Sequence, residues 1–290
     1  MAEWVRIAGD RLSAAINPFG AELSSLCDAE GRELMTDADP AFWTGRAPIL
    51  FPVVGAVADD MIRVDGRTYP MKKHGFARHR AFEPVEQAAS RAVFALRDDA
   101  ETRESYPFAF ELTLAFEIAA ATLSVTATVA NPGDVPLPAS FGFHPAFAWP
   151  LPYGAARADH RIVFERDEPE ALRVLDPAGL IATGERATFV EGRTLRLADP
   201  LFRDDALIWD AVRSQAVRYG AGSGPQLEIA FPDTPMLGIW TKPGAAYVCI
   251  EPWHGIADPS GYAGEFRDKP GVFHVAPGAA KRIGMSVTLA

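Results

Sequence analysis

FELTLAFEI, residues 110–118, alternates with a period of two. Phe110, Leu112, Leu114, Phe116 and Ile118 fall on one face, and Glu111, Thr113, Ala115 and Glu117 on the other. Successive side chains of a β-strand point to opposite faces, so this pattern describes a strand with one face buried. TLSVTATVANPGD, residues 122–134, repeats it, with Leu123, Val125, Ala127 and Val129 alternating with Ser124, Thr126 and Thr128. The two runs predict an antiparallel hairpin, and the turn formers Asn131, Pro132, Gly133 and Asp134 end its second strand.

The same signal recurs outward from this hairpin. RLSAAI (11–16), RAVFALRDD (91–99), RIVFER (161–166), QLEIAF (226–231) and RIGMSVTLA (282–290) are short alternating or apolar runs. Turn clusters separate them: NPFG (17–20), VDGRTYP (64–70), DPAG (176–179), GAGSGP (220–225), KPGAA (242–246) and DKPG (268–271). The 24 glycines and 24 prolines are spread along the chain and leave little room for long helices. Short helical turns are expected only at DADPAFW (37–43) and EPEALRVL (168–175). The pattern predicts one all-β domain over residues 1–290, built of twisted antiparallel sheets packed face to face.

Composition narrows the function. The formal net charge of −10 repels phosphate backbones and anionic membranes, so neither a nucleic acid nor a membrane is an expected partner. Cys27 and Cys249 have no zinc-ligand spacing and read as small buried residues. The opening residues lack a basic, apolar leader, and no apolar run approaches a bilayer span. A soluble cytoplasmic protein, monomer or homodimer, is the expectation.

Ionisable residues stand among apolar ones in four places. KKHGFARHRAF (72–82) carries His74, Arg78, His79 and Arg80. SFGFHPAFAWP (140–150) holds His144 among three phenylalanines and a tryptophan. AYVCIEPWHG (246–255) puts Glu251 where a buried apolar run stops, with Pro252 stiffening the chain behind it. WTGRAPILFPVVG (43–55) puts Arg46 at the edge of an apolar run. A lone histidine in such company is ordinarily satisfied by backbone carbonyls. The alternative is a residue of an aromatic cleft, whose walls suit a sugar ring and whose polar tips take hydroxyls. His74, His144 and Glu251 also make up a two-histidine, one-carboxylate metal set. They share no short local spacing, so a metal-free acid/base pair ranks above it. There is no GxSxG, and Ser223 lies in a glycine-rich turn.

In order along the chain, APILFPVVG, HGFARHRAFE, FGFHPAF and CIEPWHGIADPSGYAGEFRDKPGVFHVAPG resemble the aldose 1-epimerase (mutarotase) superfamily, in the branch related to hexose-6-phosphate epimerases. The resemblance covers nearly the whole chain and implies a galactose-mutarotase-like β-supersandwich. It implies an isomerase that interconverts the α and β anomers of a hexose or hexose phosphate without a cofactor or metal. It implies Glu251 as general base and His144 as general acid, with His74, Arg46, Arg78 and Asp205 binding the sugar. Asp204 and Asp210 are alternatives to Asp205. A carboxylate close to His144 is expected to favour its charged form. The basic set Lys72, Lys73, Arg78 and Arg80 points to a sugar phosphate. The chain departs from the galactose-specific branch, having no Asn/Gly-Arg segment near the start of the cleft and Ala56 where an arginine is common. The other readings are a non-catalytic carbohydrate-binding protein of the same fold and a glycoside-processing enzyme, for which two flanking carboxylates are needed.

Overall fold

A computed structural model describes residues 3–290. Met1 and Ala2, the head of the stretch read as lacking a leader, lie outside the described residues. The hairpin forms as expected, from strands Glu111–Ala119 and Thr122–Ala130 joined through Ala120 and Ala121. Its register pairs Leu123 with Ile118, Val125 with Phe116, Ala127 with Leu114 and Val129 with Leu112, so the apolar sets of both strands share one buried face. A one-residue slip would turn that face to water, which is why the alternation fixes the pairing.

This hairpin lies within a nine-stranded antiparallel sheet. On one side lie Arg91–Arg97 and the edge strand Glu83–Gln87. On the other, Ala280–Leu289, Leu227–Ala230, Ala216–Gly220, Arg161–Phe164 and Thr194–Arg196 follow in that order. An eight-stranded sheet packs against it through one large apolar core. Its centre is the strand Tyr247–His254, paired with Met236–Trp240 on one side and with two short strands, Phe141–Phe143 and Ala146–Ala148, on the other. A three-stranded sheet from residues 5–28 and two two-stranded pairs complete the fold.

Two local expectations are corrected. Residues 37–43 form only a hydrogen-bonded turn, in which the Phe42 and Trp43 N–H groups donate to the Asp39 carbonyl. Residues 168–175 are not helical: Leu172–Leu175 is a strand of the eight-stranded sheet. Within VDGRTYP only Asp65 and Gly66 turn, and Arg67–Pro70 is the second strand of a small hairpin. Among the described residues the one α-helix is Ala100–Ser105, which no helical period announces. A capping box starts it: Asp99 accepts from the Thr102 N–H while the Thr102 side chain accepts from the Asp99 N–H. Among the described residues no helix is long and apolar enough to cross a membrane.

The central strand positions the site. It does not stop at Glu251 but runs on through Pro252 to His254, with all but the last residue buried. Val248 and Ile250 point into the core between the sheets. By the two-residue period, Tyr247, Cys249, Glu251 and Trp253 share the other face. That face is buried under Trp43, Trp240 and the loops around Ile181 and Ile256. A strand covered on both faces reads as one apolar run, so an acid within it looks like its end. The Pro252 nitrogen faces the same side as the Ile250 N–H, which donates to the Pro145 carbonyl. On that side the register puts Pro252 opposite Phe143, the last residue of its short strand, and the neighbouring strand then breaks at His144 and Pro145.

Candidate active site

The break at His144 and Pro145 sets His144 across from Glu251. Its imidazole enters the face of the central strand, and Nε2 lies 3.1 Å from Glu251 Oε2. Both side chains are buried, at 9% and 2% exposure. The Trp43 ring lies 5.0 Å from the imidazole at 31°, and the Trp240 ring meets it edge-on at 6.1 Å. Gly238 pairs with Glu251 across the sheet, and a side chain there would collide with the Trp253 ring. The absence of a β-carbon there is therefore what leaves room for the Trp253 ring.

His74 meets His144 edge-on at 5.9 Å. It sits in left-handed backbone at φ 68, directly before Gly75 at φ 70. A β-carbon on Gly75 would strike the Phe51 carbonyl, so the close backbone approach expected at this glycine is present. The turn holds the ring by two bonds: the His74 N–H donates to the Gly55 carbonyl, and the Gly55 N–H donates to His74 Nδ1 at 3.1 Å. Because Nδ1 accepts, the proton of the neutral ring is on Nε2. Burial holds His74 well below its ordinary pKa, with His144 and then Lys73 adding to the effect.

These groups line a cleft of about 540 Å³. Trp43, Trp240, Trp253, Leu175, Ile181 and Ile208 supply its apolar walls. Lys73, Arg78, Arg203, Asp204 and Asp205 supply charge. The structure thus brings together Glu251, His144, His74, Arg78 and Asp205 from distant parts of the chain. Asp205 stands in left-handed backbone at φ 79 and accepts from the Ala206 N–H. Asp204 shares the lining but pairs with Arg186 at 3.5 Å, and Asp210 pairs with Arg173 outside it.

Arg46 is not brought in. Its guanidinium donates to the Thr36 and Asp37 carbonyls and lies over the Trp4 ring, and it is absent from the cleft lining. The basic set also divides. Lys72 pairs with Asp60, and Arg80 with Asp99 and Glu101, which leaves Lys73 and Arg78 in the cleft. Arg78 donates to His79 Nε2 and the Lys73 carbonyl, neither of them an anion. Trp43, Trp240 and Arg203 carry no local sequence signal for the site. Trp43 heads the stretch read for Arg46, and Trp240 and Arg203 lie outside all four stretches.

Burial sets the electrostatics. It pushes the His144 imidazole down to about 3, with Arg78 and Lys73 adding to the effect. It pushes the Glu251 carboxyl well above the usual carboxylate range, opposed by Lys73 and reinforced by Asp205. The carboxylate beside His144 therefore does not hold it charged, contrary to the sequence expectation. Both groups are too dry, and the pair favours its neutral form.

A sequence model of the aldose 1-epimerase family matches residues 4–265. The chain is 28% identical to the chromosomal protein LacX of Lactococcus lactis subsp. lactis over 295 aligned residues, 98% of this chain and 99% of LacX. Among solved structures it is similar to a galactose mutarotase related enzyme from Lactobacillus acidophilus, at 31% identity and a TM-score of 0.93 over 99% of this chain and 97% of that one. It is also similar to a galactose mutarotase-like protein from Lactobacillus casei ATCC 334, at 29% identity and a TM-score of 0.92 over 99% and 100%. A buried acid/base pair in an aromatic cleft, on a fold shared from end to end, leads to one conclusion: the chain belongs to the aldose 1-epimerase family.

Proposed function

We propose that the protein interconverts the anomers of a hexose or hexose phosphate, with Glu251 as general base and His144 as general acid. The observation that carries this is the 3.1 Å contact between His144 Nε2 and Glu251 Oε2 on the floor of the cleft. Opening a hemiacetal requires a proton to leave the anomeric hydroxyl and another to reach the ring oxygen. The neutral pair and the ion pair hold the same protons and differ only in which side of that contact carries one. Burial favours the neutral form, and sugar hydroxyls lying on the pair supply the polar surroundings an ion pair needs.

From the ion pair, Glu251 takes the anomeric proton while His144 Nε2 gives its proton to the ring oxygen. The bond between the anomeric carbon and the ring oxygen breaks, and an open-chain aldehyde forms. The pair is left neutral, the form that its burial favours. The aldehyde then turns its other face, and the same transfers run in reverse. A carboxylate raised above its usual range is a stronger base near neutrality. His74 supplies its Nε2–H to a sugar oxygen, and the indoles of Trp43 and Trp240 offer an apolar surface to the ring.

Lys73, Arg78 and Arg203 support a phosphorylated substrate, since charge-assisted hydrogen bonds from them would hold a phosphate at the cleft mouth. The test is NMR exchange spectroscopy between anomers of glucose, galactose and their 6-phosphates, with wild type and Glu251→Gln. Wild type accelerates exchange and the variant does not. Full activity in Glu251→Gln would refute the assignment, and a sugar that binds without faster exchange would make this a binding protein. Calorimetry is expected to show glucose 6-phosphate binding more tightly than glucose, and equal affinities would remove the phosphate reading.

A further inference from the structure

We infer that Cys249, His144 and Glu251 form a site for a thiophilic divalent cation such as Zn²⁺, and that the bound ion blocks the acid/base pair. The proposed reaction uses Glu251 and His144 and leaves Cys249 without a role. Yet Cys249 and Glu251 are two residues apart on one strand, so their side chains share a face. His144 reaches the same face from the break in the neighbouring strand. One ligand atom from each of the three, all buried, lies within 4.8 Å of the other two.

The geometry is close to that of a zinc site. Zinc–ligand bonds of ~2.0–2.3 Å put tetrahedral ligands about 3.3–3.8 Å apart. His144 Nε2 and Glu251 Oε2, 3.1 Å apart, need to part by only about 0.2 Å to meet that spacing. Cys249 Sγ, within 4.8 Å of a ligand atom of each, needs to close by about 1 Å to meet the same spacing. His144 and Glu251 line the cleft, which leaves the fourth position for water or a sugar hydroxyl. Charge also fits: one thiolate, one carboxylate and one neutral imidazole around a divalent ion sum to zero, which suits a dry cage walled by Trp43, Trp240 and Tyr247.

Ligation is balanced by proton release. The metal displaces the thiol proton and the proton shared by His144 and Glu251, and both pass to solvent. With that shared proton gone and both groups ligated, neither transfer of ring opening is available. Binding of the ion does not depend on the proposed reaction, whereas inhibition does.

The experiment is titration of the metal-free protein with Co²⁺. One equivalent is expected to give the intense visible bands of tetrahedral cobalt and a near-ultraviolet thiolate-to-cobalt band, both displaced by Zn²⁺. Cys249→Ser, with its melting transition retained, loses the thiolate band and weakens binding by ~10–100-fold or more. Cys27→Ser keeps the band. A pale octahedral spectrum, or an unchanged thiolate band in Cys249→Ser, overturns the site. In anomer exchange with a sugar that wild type turns over, Zn²⁺ inhibits and a chelator restores the rate. Metal bound with no inhibition overturns the blockade, while absence of exchange on every sugar counts against the proposed reaction and leaves the cobalt result standing.

Discussion

Among the described residues two acid–base pairs are buried, and they are built differently. Lys269 Nζ lies 2.8 Å from Asp258 Oδ1, with the side chains 1% and 7% exposed. Asp258 is used completely: Oδ2 accepts from the Ala58 N–H, its own N–H donates to the Ala56 carbonyl, and its carbonyl accepts from the Ile181 N–H. That pair ties three loops together beside the cleft. The His144–Glu251 pair is equally dry, and each pair has one nitrogen without a hydrogen bond, His144 Nδ1 and Lys269 Nζ, but among the described residues no backbone N–H donates to Glu251 whereas the Ala58 N–H donates to Asp258. A buried polar network that is satisfied fixes structure. One left partly unsatisfied costs stability, and persists where a ligand completes it.

The sharpest separation of the two is in activity. Glu251→Gln is expected to lower kcat for anomer exchange by ~10²–10⁴-fold, the usual contribution of one general acid–base group. Its melting temperature stays at or above that of wild type, because a neutral amide replaces a group that resents burial. Asp258→Ala does the reverse. Removing one partner of a buried pair strands the other charge and costs about 3–5 kcal/mol. A thermal melt should fall by on the order of 10 °C, with kcat of the folded fraction within a few-fold of wild type. Asp258→Ala melting like wild type would show that the pair contributes no net stability.

The two pairs also show what sequence could and could not convey. Residues 111–129 announce their strands because one face is buried and the other is not, and the register follows from that contrast. The central strand is buried on both faces, so its period vanishes, and Glu251 was read as its end when it lies within it. The motifs carrying Glu251, His144 and His74 stood out because charge among aromatic residues needs a reason. Trp43, Trp240 and Arg203 gave no such contrast, since an aromatic residue or an arginine in a turn has many ordinary uses. Arg46 did give it, but its charge is spent on the Thr36 and Asp37 carbonyls. The helix at residues 100–105 is too short to show a period, although Asp99 and Thr102 spell its cap.

A smaller effect follows from how the His144–Glu251 pair titrates with folding. Glu251 has a folded pKa above its ordinary 4.5, so the folded state holds the proton longer. Its contribution is present below pH 4.5 and is lost as pH rises through the folded value. His144, at about 3 against an ordinary 6.5, contributes the opposite slope: stability present above pH 6.5 and lost as pH falls toward 3. Between pH 4.5 and 6.5 the slopes oppose each other. Glu251→Gln removes only the first. The variant should therefore gain on wild type as pH rises from 4.5, by a few degrees in melting temperature for ~1 kcal/mol. A gap independent of pH would mean that Glu251 is not held protonated by burial.

The finest test concerns the cations at the rim. Catalysis needs the pair to hold one transferable proton, so the acid limb of kcat/KM marks the gain of a second and the alkaline limb the loss of the first. The two apparent values belong to the pair rather than to either residue. Lys73 lowers both groups, and Arg78 lowers His144. Lys73→Met should therefore move both limbs to higher pH, and Arg78→Met should move the acid limb to higher pH. Asp205 raises Glu251, so Asp205→Asn should move the alkaline limb to lower pH. Glucose is the substrate for these profiles if wild type turns it over, because a phosphate would add its own titration and its own contacts to Lys73. Both limbs standing still in Lys73→Met would mean that solvent in the cleft screens the rim from the floor, and the shifts would then be the work of burial alone.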